Sequence, residues 1–193
     1  LVESDHQDVE ITKTSMVDSR NAANIKFNDV AVSSENILGE ENNGASVLEV
    51  VLDRAQIAIS AEMLGNASQA FDLTLEYLKE RKQFGAVIGT FQALQHRAAE
   101  MYSELELTKS SVIAACNAVD QNSNDLRRMA SLAKFKSGET NHLITNEAIQ
   151  MHGGVGVTDE YDVGLFMKRA RVTEQIFGNS EYHIDRYATL SDY

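Results

Sequence analysis

Three features of this 193-residue sequence predict a mainly α fold, an antiparallel up-and-down helical bundle preceded by a short β remnant. From about position 45 onward, apolar residues recur at three- and four-residue spacing, the period of one buried helix face. Short polar turns divide these runs, and long helices joined by short turns pack as antiparallel neighbours. Proline is absent altogether, which suits uninterrupted helices because an interior proline removes a backbone hydrogen bond and clashes with the preceding turn.

Residues 1–40 are expected to be extended. Val9 and Ile11 alternate with polar neighbours, as do Ile25, Phe27 and the Val30–Val32 pair, and the runs are bounded by Asn, Asp or Ser. Two or three strands follow from this, too few to close a sheet of their own. Ile37-Leu38-Gly39 followed by Glu-Glu-Asn-Asn-Gly predicts a turn and a domain boundary between residues 1–40 and 41–193. Leu64, Ala67, Phe71, Leu75 and Leu78 mark one face of a helix over 45–81. From Phe91 through Leu94, Ala98, Met101, Leu105, Val112 and Val119 the spacing persists for four heptads. Asp120 to Asp125 reads as a polar turn. Leu126, Met129, Ala133, Ser137, Thr140, Ile144 and Met151 form a third face with small residues in mid-helix. A shorter helix is predicted over 163–171, and a last one from about Ser180 to the end.

Composition narrows the function classes. The net charge of −12 argues against nucleic acid, whose phosphates would be repelled. No apolar run approaches the length of a membrane span, and the start shows no signal-peptide pattern. The single cysteine, Cys116, allows no internal disulfide and suits a reducing, cytoplasmic compartment. The five histidines show no metal-ligand spacing, so no metal site is expected; His96 and His142 fall within helical pattern. The opening on Leu1 and the distinct first forty residues suggest a piece of something larger.

Three stretches depart from generic helix. Glu147 to Gly156 ends a helical run in Gly153, Gly154 and Gly156 beside Gln150 and His152, leaving backbone that a flat or charged ligand can approach. A plain helix C-cap is the alternative. Arg81 to Gly85 places a guanidinium at a helix end, suited to pairing with a phosphate through two hydrogen bonds; a solvated Arg-Lys pair and a hydrophobic staple at Phe84 are the alternatives. Ile176 to Glu181 is either a ligand contact or a helix N-cap at Asn179 or Ser180.

In this order and spacing, Arg81-Lys82-Gln83-Phe84-Gly85, Phe91-Gln92, Gln150 to Gly154, Asp159-Glu160-Tyr161 and Ile176 to Glu181 resemble the acyl-CoA dehydrogenase family over nearly the whole chain. The resemblance implies the tail of that family's middle β-domain followed by its C-terminal helical domain, with FAD as cofactor. It implies that Arg81, Gln83 and Phe84 meet the FAD of a neighbouring subunit, with Phe91 and Gln92 as a second contact pair. Gln150, Gly153 and Gly154 match the contact with the adenosine half, and Asn179 and Glu181 match a further flavin contact. Asp53, Gln56 and Gly178 match positions beside the acyl-CoA substrate. It also implies an electron-transferring flavoprotein as acceptor and a dimeric or tetrameric assembly, with the Phe91–Val119 heptads offering a surface for it.

The family's reaction needs a carboxylate to remove the substrate α-proton, in a dry pocket that raises its pKa. Here the usual position holds Phe177, and the alternative position on the first long helix holds Ala55, followed by Gln56 in place of the family's arginine. Glu174 and Glu181 are the nearest carboxylates in sequence. The resemblance therefore implies an acyl-CoA dehydrogenase-type oxidoreductase lacking the usual glutamate, with Glu174 or Glu181 as a substitute base, or a subunit that completes the flavin site of a partner supplying the base; different flavin chemistry, such as an oxidase or monooxygenase, is the third alternative.

Overall fold

The computed structural model describes residues 1–16, 18 and 20–193, and these divide into two compact units, Leu1–Val51 and Leu52–Tyr193. In the first unit, β1 (Val9–Ser15) and β2 (Asn21–Phe27) form an antiparallel ribbon with Val9 opposite Phe27 and Ile11 opposite Ile25. The period-two pattern makes these strands, yet Ile11, Ile25 and Phe27 stay about half exposed because the ribbon has no further strand to cover them. Val30 to Val32 form no strand. Asp29 turns the chain with a positive φ of 53°, and no third strand pairs there.

The remaining unit is built on four arms. The first is α1 (Gly44–Glu80), whose 37 residues begin in the first unit and bury Gln56, Ser60, Met63, Ala67, Phe71, Thr74 and Leu78 at three- and four-residue spacing. A two-residue hairpin, β3 (Lys82–Gln83) and β4 (Ala86–Val87), leads into α2 (Gln92–Asp120). The third arm, α3 (Leu126–His152), buries a face dominated by Ala130, Ala133, Ser137, Gly138, Thr140 and Ala148. Those small side chains let neighbouring helices approach α3 closely, which makes it the central helix. Ion pairs and hydrogen bonds fix the directions. Thr108 on α2 donates to Thr140 on α3 at 2.7 Å and Arg97 pairs with Glu147, so α2 and α3 run antiparallel. Asn66 bonds Asn141 at 2.7 Å and Tyr77 stacks on His152, so α1 and α3 run parallel.

The fourth arm is broken. It descends as α4 (Val163–Gln175), stops at Ile176, and resumes as α5 (Ser180–Thr189). Both pieces run antiparallel to α3: Lys134 and Gly138 lie against Glu174, while Ser131 bonds Arg186. The helical spacing thus corresponds to an up-down-up-down bundle, with α4 a turn longer than predicted. The final helix ends at Thr189, short of the chain end.

The heptad face of α2 is occupied inside the chain. Met101, Leu105, Thr108, Val112 and Ala115 are all buried in the bundle core, so this face does not supply the expected assembly surface. Met101 and Met151 fill the core as expected. His96 and His142 are exposed, and no group of metal-binding side chains forms among the described residues. Among the described residues, no helix is long and apolar enough to cross a membrane.

Candidate functional site

The structure joins two of the three distinctive stretches at one end of the bundle. Tyr77 on α1, one turn before Arg81, stacks on His152 with ring centroids 4.2 Å apart and donates its hydroxyl to the His152 carbonyl at 3.2 Å. Tyr161 closes the cluster edge-on to both rings. His152 Nδ1 donates to the Ala148 carbonyl at 2.7 Å, and burial keeps the imidazole below its ordinary pKa against the opposing pull of that hydrogen bond. This cluster, with His152 buried at its centre, joins the Arg81 segment to the Gln150–Gly154 segment.

What the cluster presents outward is open. Arg81, Gln83, Gln92 and Gln150 are exposed. Phe84 sits at the tip of the β3–β4 hairpin, 92% exposed, with a φ of 53° followed by Gly85 at 78°. Two successive positive φ values make a tight primed turn, and phenylalanine is an uncommon, strained occupant of it. Its ring stands 6.3 Å from that of Phe91, so the pair is aromatic but Phe84 is not a buried staple. The three glycines differ in kind. Gly153 ends α3 with φ 65° and ψ −141°, a conformation essentially confined to glycine. At Gly156 a Cβ would lie 2.8 Å from the Ile149 carbonyl oxygen. Gly154 has neither reason: its φ is not positive and a Cβ there meets nothing within 4 Å. Nothing among the described residues demands the missing side chain of Gly154.

The third stretch lies elsewhere. Ile176 to Asn179 is the break between α4 and α5, and it packs against Lys134, eighteen residues from His152 along α3, or about 27 Å at helical rise. Asn179 caps α5, its Oδ1 accepting from the Tyr182 amide at 3.0 Å. Ser180 is buried and Glu181 is exposed in the first turn. Phe177 and Gly178 both adopt positive φ, 61° and 105°, and a Cβ on Gly178 would strike Tyr182 Cδ1 at 2.4 Å. Phe177 is 43% exposed. Glu174 lies with its Cγ against Gly138 on α3 and is half buried.

Beneath the break lies a buried polar network that the spacing did not reveal. Asp53 is 2% exposed and takes a 2.5 Å hydrogen bond from Arg186 Nη2. The other guanidinium nitrogen, Nη1, donates to Ser131 Oγ at 2.9 Å, to Gln56 Oε1 at 3.2 Å and to the Arg127 carbonyl at 3.3 Å. Gln56 Nε2 approaches the Phe177 carbonyl at 3.5 Å, and His183 Nε2 donates to the same carbonyl at 3.1 Å. Lys134, 1% exposed, donates to the carbonyls of Glu174 at 2.9 Å and Gly178 at 2.8 Å. Asp53 and Gln56 are therefore committed within the chain. Lys134, His183 and Arg186 went unremarked in the sequence, although a lysine in the Ala130, Ala133, Ser137 register is a detectable sign of a buried cation.

Comparisons with known proteins agree with this geometry. Residues 42–189 match the family described as Acyl-CoA dehydrogenase, C-terminal domain. The chain is 38% identical over 161 residues to the probable acyl-CoA dehydrogenase YngJ of Bacillus subtilis, covering 83% of this chain and 42% of that protein. It is 37% identical over 159 residues to the caffeyl-CoA reductase-Etf complex subunit CarC of Acetobacterium woodii, covering 82% of this chain and 42% of the relative. The structure superposes on butyryl-CoA dehydrogenase from Megasphaera elsdenii with a TM-score of 0.90 at 27% identity, over 100% of this chain and 51% of that one. The chain thus spans about two fifths of the length of the curated relatives it matches. Through its broken four-arm bundle and the motifs carried on it, this chain belongs to the acyl-CoA dehydrogenase family.

Proposed function

We propose that the protein carrying this chain is an FAD-dependent oxidoreductase of the acyl-CoA dehydrogenase type, acting on an acyl-CoA thioester, in which this region binds the flavin and lacks the usual proton acceptor. Residues 1–40 serve as the remnant of the middle β-domain and residues 41–193 as the C-terminal bundle domain. The observation that carries this reading is the open end of the bundle. Tyr77 and His152 join the segments that carry Arg81 and Gln150 there, beside a glycine, Gly154, at which a Cβ would meet nothing within 4 Å among the described residues. These residues fit an anionic dinucleotide: Arg81 pairs with phosphate oxygens, Gln83 and Gln150 supply side-chain amides, and Gly153 and Gly154 let a flat group lie against the backbone.

When bound, the flavin supplies the acceptor for the hydride that leaves the substrate β-carbon. Proton removal from the α-carbon needs a carboxylate, and none in this region is placed for it. Phe177 and Ala55 hold the two expected positions, Glu174 folds back onto α3, and Glu181 is exposed on α5. Gln56 replaces the family's arginine beside that position and hydrogen-bonds Arg186 and the Phe177 carbonyl instead, so both charges are gone together. That paired neutralisation favours a second reading, a non-catalytic or partner-dependent subunit in a heteromeric assembly. Two copies are needed in either case, because Arg81 and Asn179 lie at different levels of one bundle. The relative CarC, named as a subunit of a complex with Etf, supports an electron-transferring flavoprotein as redox partner.

The full-length protein, purified alone and mixed anaerobically with acyl-CoA, tests both readings. Bleaching of its flavin absorbance supports the self-sufficient oxidoreductase. Bleaching only with a co-expressed paralogue supports the partner-dependent subunit, and a preparation without FAD sinks both.

A further inference from the structure

We propose that Lys134 is a positioning residue of the flavin site, holding the Phe177–Asn179 backbone in place by donating to the carbonyls on either side of the fourth-arm break. The inference rests on the flavin reading above.

A break of this kind is intrinsically costly. Glu174 lies in the last turn of α4, so its carbonyl is among those a helix end leaves without an intrahelical partner. Phe177 and Gly178 then adopt successive positive φ values of 61° and 105°, which for a bulky phenylalanine persists only where surrounding groups over-determine it. Three side chains from three helices do so. Gln56 from α1 and His183 from α5 converge on the Phe177 carbonyl, while Lys134 from α3 bridges Glu174 and Gly178. Lys134 spans the break, tying the end of α4 to the turn that starts α5.

A lysine this deeply buried needs such a task. Lysine is almost never fully buried without partners, and an apolar side chain would fill the space at less desolvation cost. Burial lowers its pKa to about 8, and the Glu174 carboxylate opposes that shift, so the amine stays mostly charged at neutral pH. A charged donor forms stronger hydrogen bonds to carbonyls than a neutral one. Because both of these bonds end on main-chain oxygens, Lys134 controls backbone placement without reaching the cofactor.

The test uses the full-length protein with Lys134→Met, Lys134→Gln and Lys134→Arg. Two comparison variants are Thr108→Val, which removes a buried hydrogen bond between α2 and α3, and Arg81→Ala. The readouts are backbone hydrogen exchange over residues 176–181 and the dissociation constant of FAD on reconstitution of the apoprotein. Lys134→Met is expected to speed exchange there by roughly 100-fold, a local opening, and to weaken FAD binding by about tenfold as two carbonyls lose their donor. Lys134→Arg restores most of both; Lys134→Gln falls between and carries the test if the methionine variant does not fold. Thr108→Val leaves both readouts near wild type whatever its melting temperature. Exchange over 176–181 in the Lys134 variants that merely matches Thr108→Val overturns the proposal. So does a loosened break with unchanged FAD affinity while Arg81→Ala weakens it. If Arg81→Ala also leaves FAD affinity unchanged, the flavin reading falls as well.

Discussion

The two ends of the candidate site solve opposite problems with similar residue types. At the break, three buried groups are answered from within: Asp53 by Arg186, the Phe177 carbonyl by His183, the Gly178 carbonyl by Lys134. At the Arg81–Gly154 end the interior is equally ordered by Tyr77, His152 and Tyr161, but the outward face is left unfilled, with Phe84 almost wholly exposed. One region turns its polar side chains inward, onto its own backbone. The other presents Arg81, Gln83, Phe84 and Gln150 outward. Stability should therefore reside at the break, and binding at the open end.

The largest effect expected from this contrast is at Asp53. Asp53→Ala leaves the Arg186 guanidinium with Gln56 and Ser131 but without its carboxylate, and breaking a buried pair from one side costs about 3–5 kcal/mol, read as a fall in the urea midpoint. A loss below about 1 kcal/mol would mean that the pair behaves like a surface bridge, and the contrast would fail.

The pH dependence comes next. Burial lowers His183 to about 4; the hydrogen bond to Phe177 and the Asp53 charge oppose this, and the Lys134 and Arg186 charges reinforce it. A histidine with a depressed folded pKa binds its proton more readily when unfolded. Its contribution is thus complete above the unfolded value of 6.5 and is lost as pH falls toward 4. The full loss amounts to about 3 kcal/mol. His183→Gln keeps an N–H donor and removes the titration, so its stability should fall less steeply between these limits. His152 titrates in the same direction, and the difference between the two proteins isolates His183.

A pair of glycine substitutions sharpens the comparison most directly. Gly178→Ala meets both a positive φ and the Tyr182 ring, and should cost about 2 kcal/mol or more of stability. Gly154→Ala meets open space and should stay within about 0.5 kcal/mol of wild type. It should nevertheless weaken FAD binding in the full-length protein. Smallest of all, Phe84→Ser is expected to leave the melting temperature unchanged or slightly raised by relief of turn strain, and to show its effect only in cofactor binding or assembly. A Phe84→Ser protein that melts far lower would show this tip to be part of the core.

Much of this was legible from residue types and spacing. Leu64, Ala67, Phe71 and Leu78 marked the buried stripe of α1, and Ala133, Ser137 and Thr140 that of α3, because helical periodicity survives translation into burial almost unchanged. The turn at Asp120 to Asp125 and the gap between α4 and α5 were readable for the same reason. The third strand at Val30–Val32 was not, since a strand exists only where an edge is available to pair. The α2 heptads also misled: an apolar face shows that something covers it, not whether the cover is the same chain or another. Motif order identified Arg81, Gln150 and Asn179 as candidates. Only the structure showed that Tyr77 and His152 join the segments of the first two, and that the third stands about 27 Å along α3.

By itself the sequence determined the helical class, the order of the arms and the family. All of these are carried by local period or by identity at a position. Tertiary structure alone decided that Asp53 belongs to Arg186, that Lys134 bridges the broken arm, and that Gly154 faces open space while Gly178 faces a tyrosine ring. Those facts depend on groups between four and 133 residues apart meeting in space. Burial, which turns a carboxylate, an amine or a missing side chain into a constraint, is a property of the packed molecule and not of the residue.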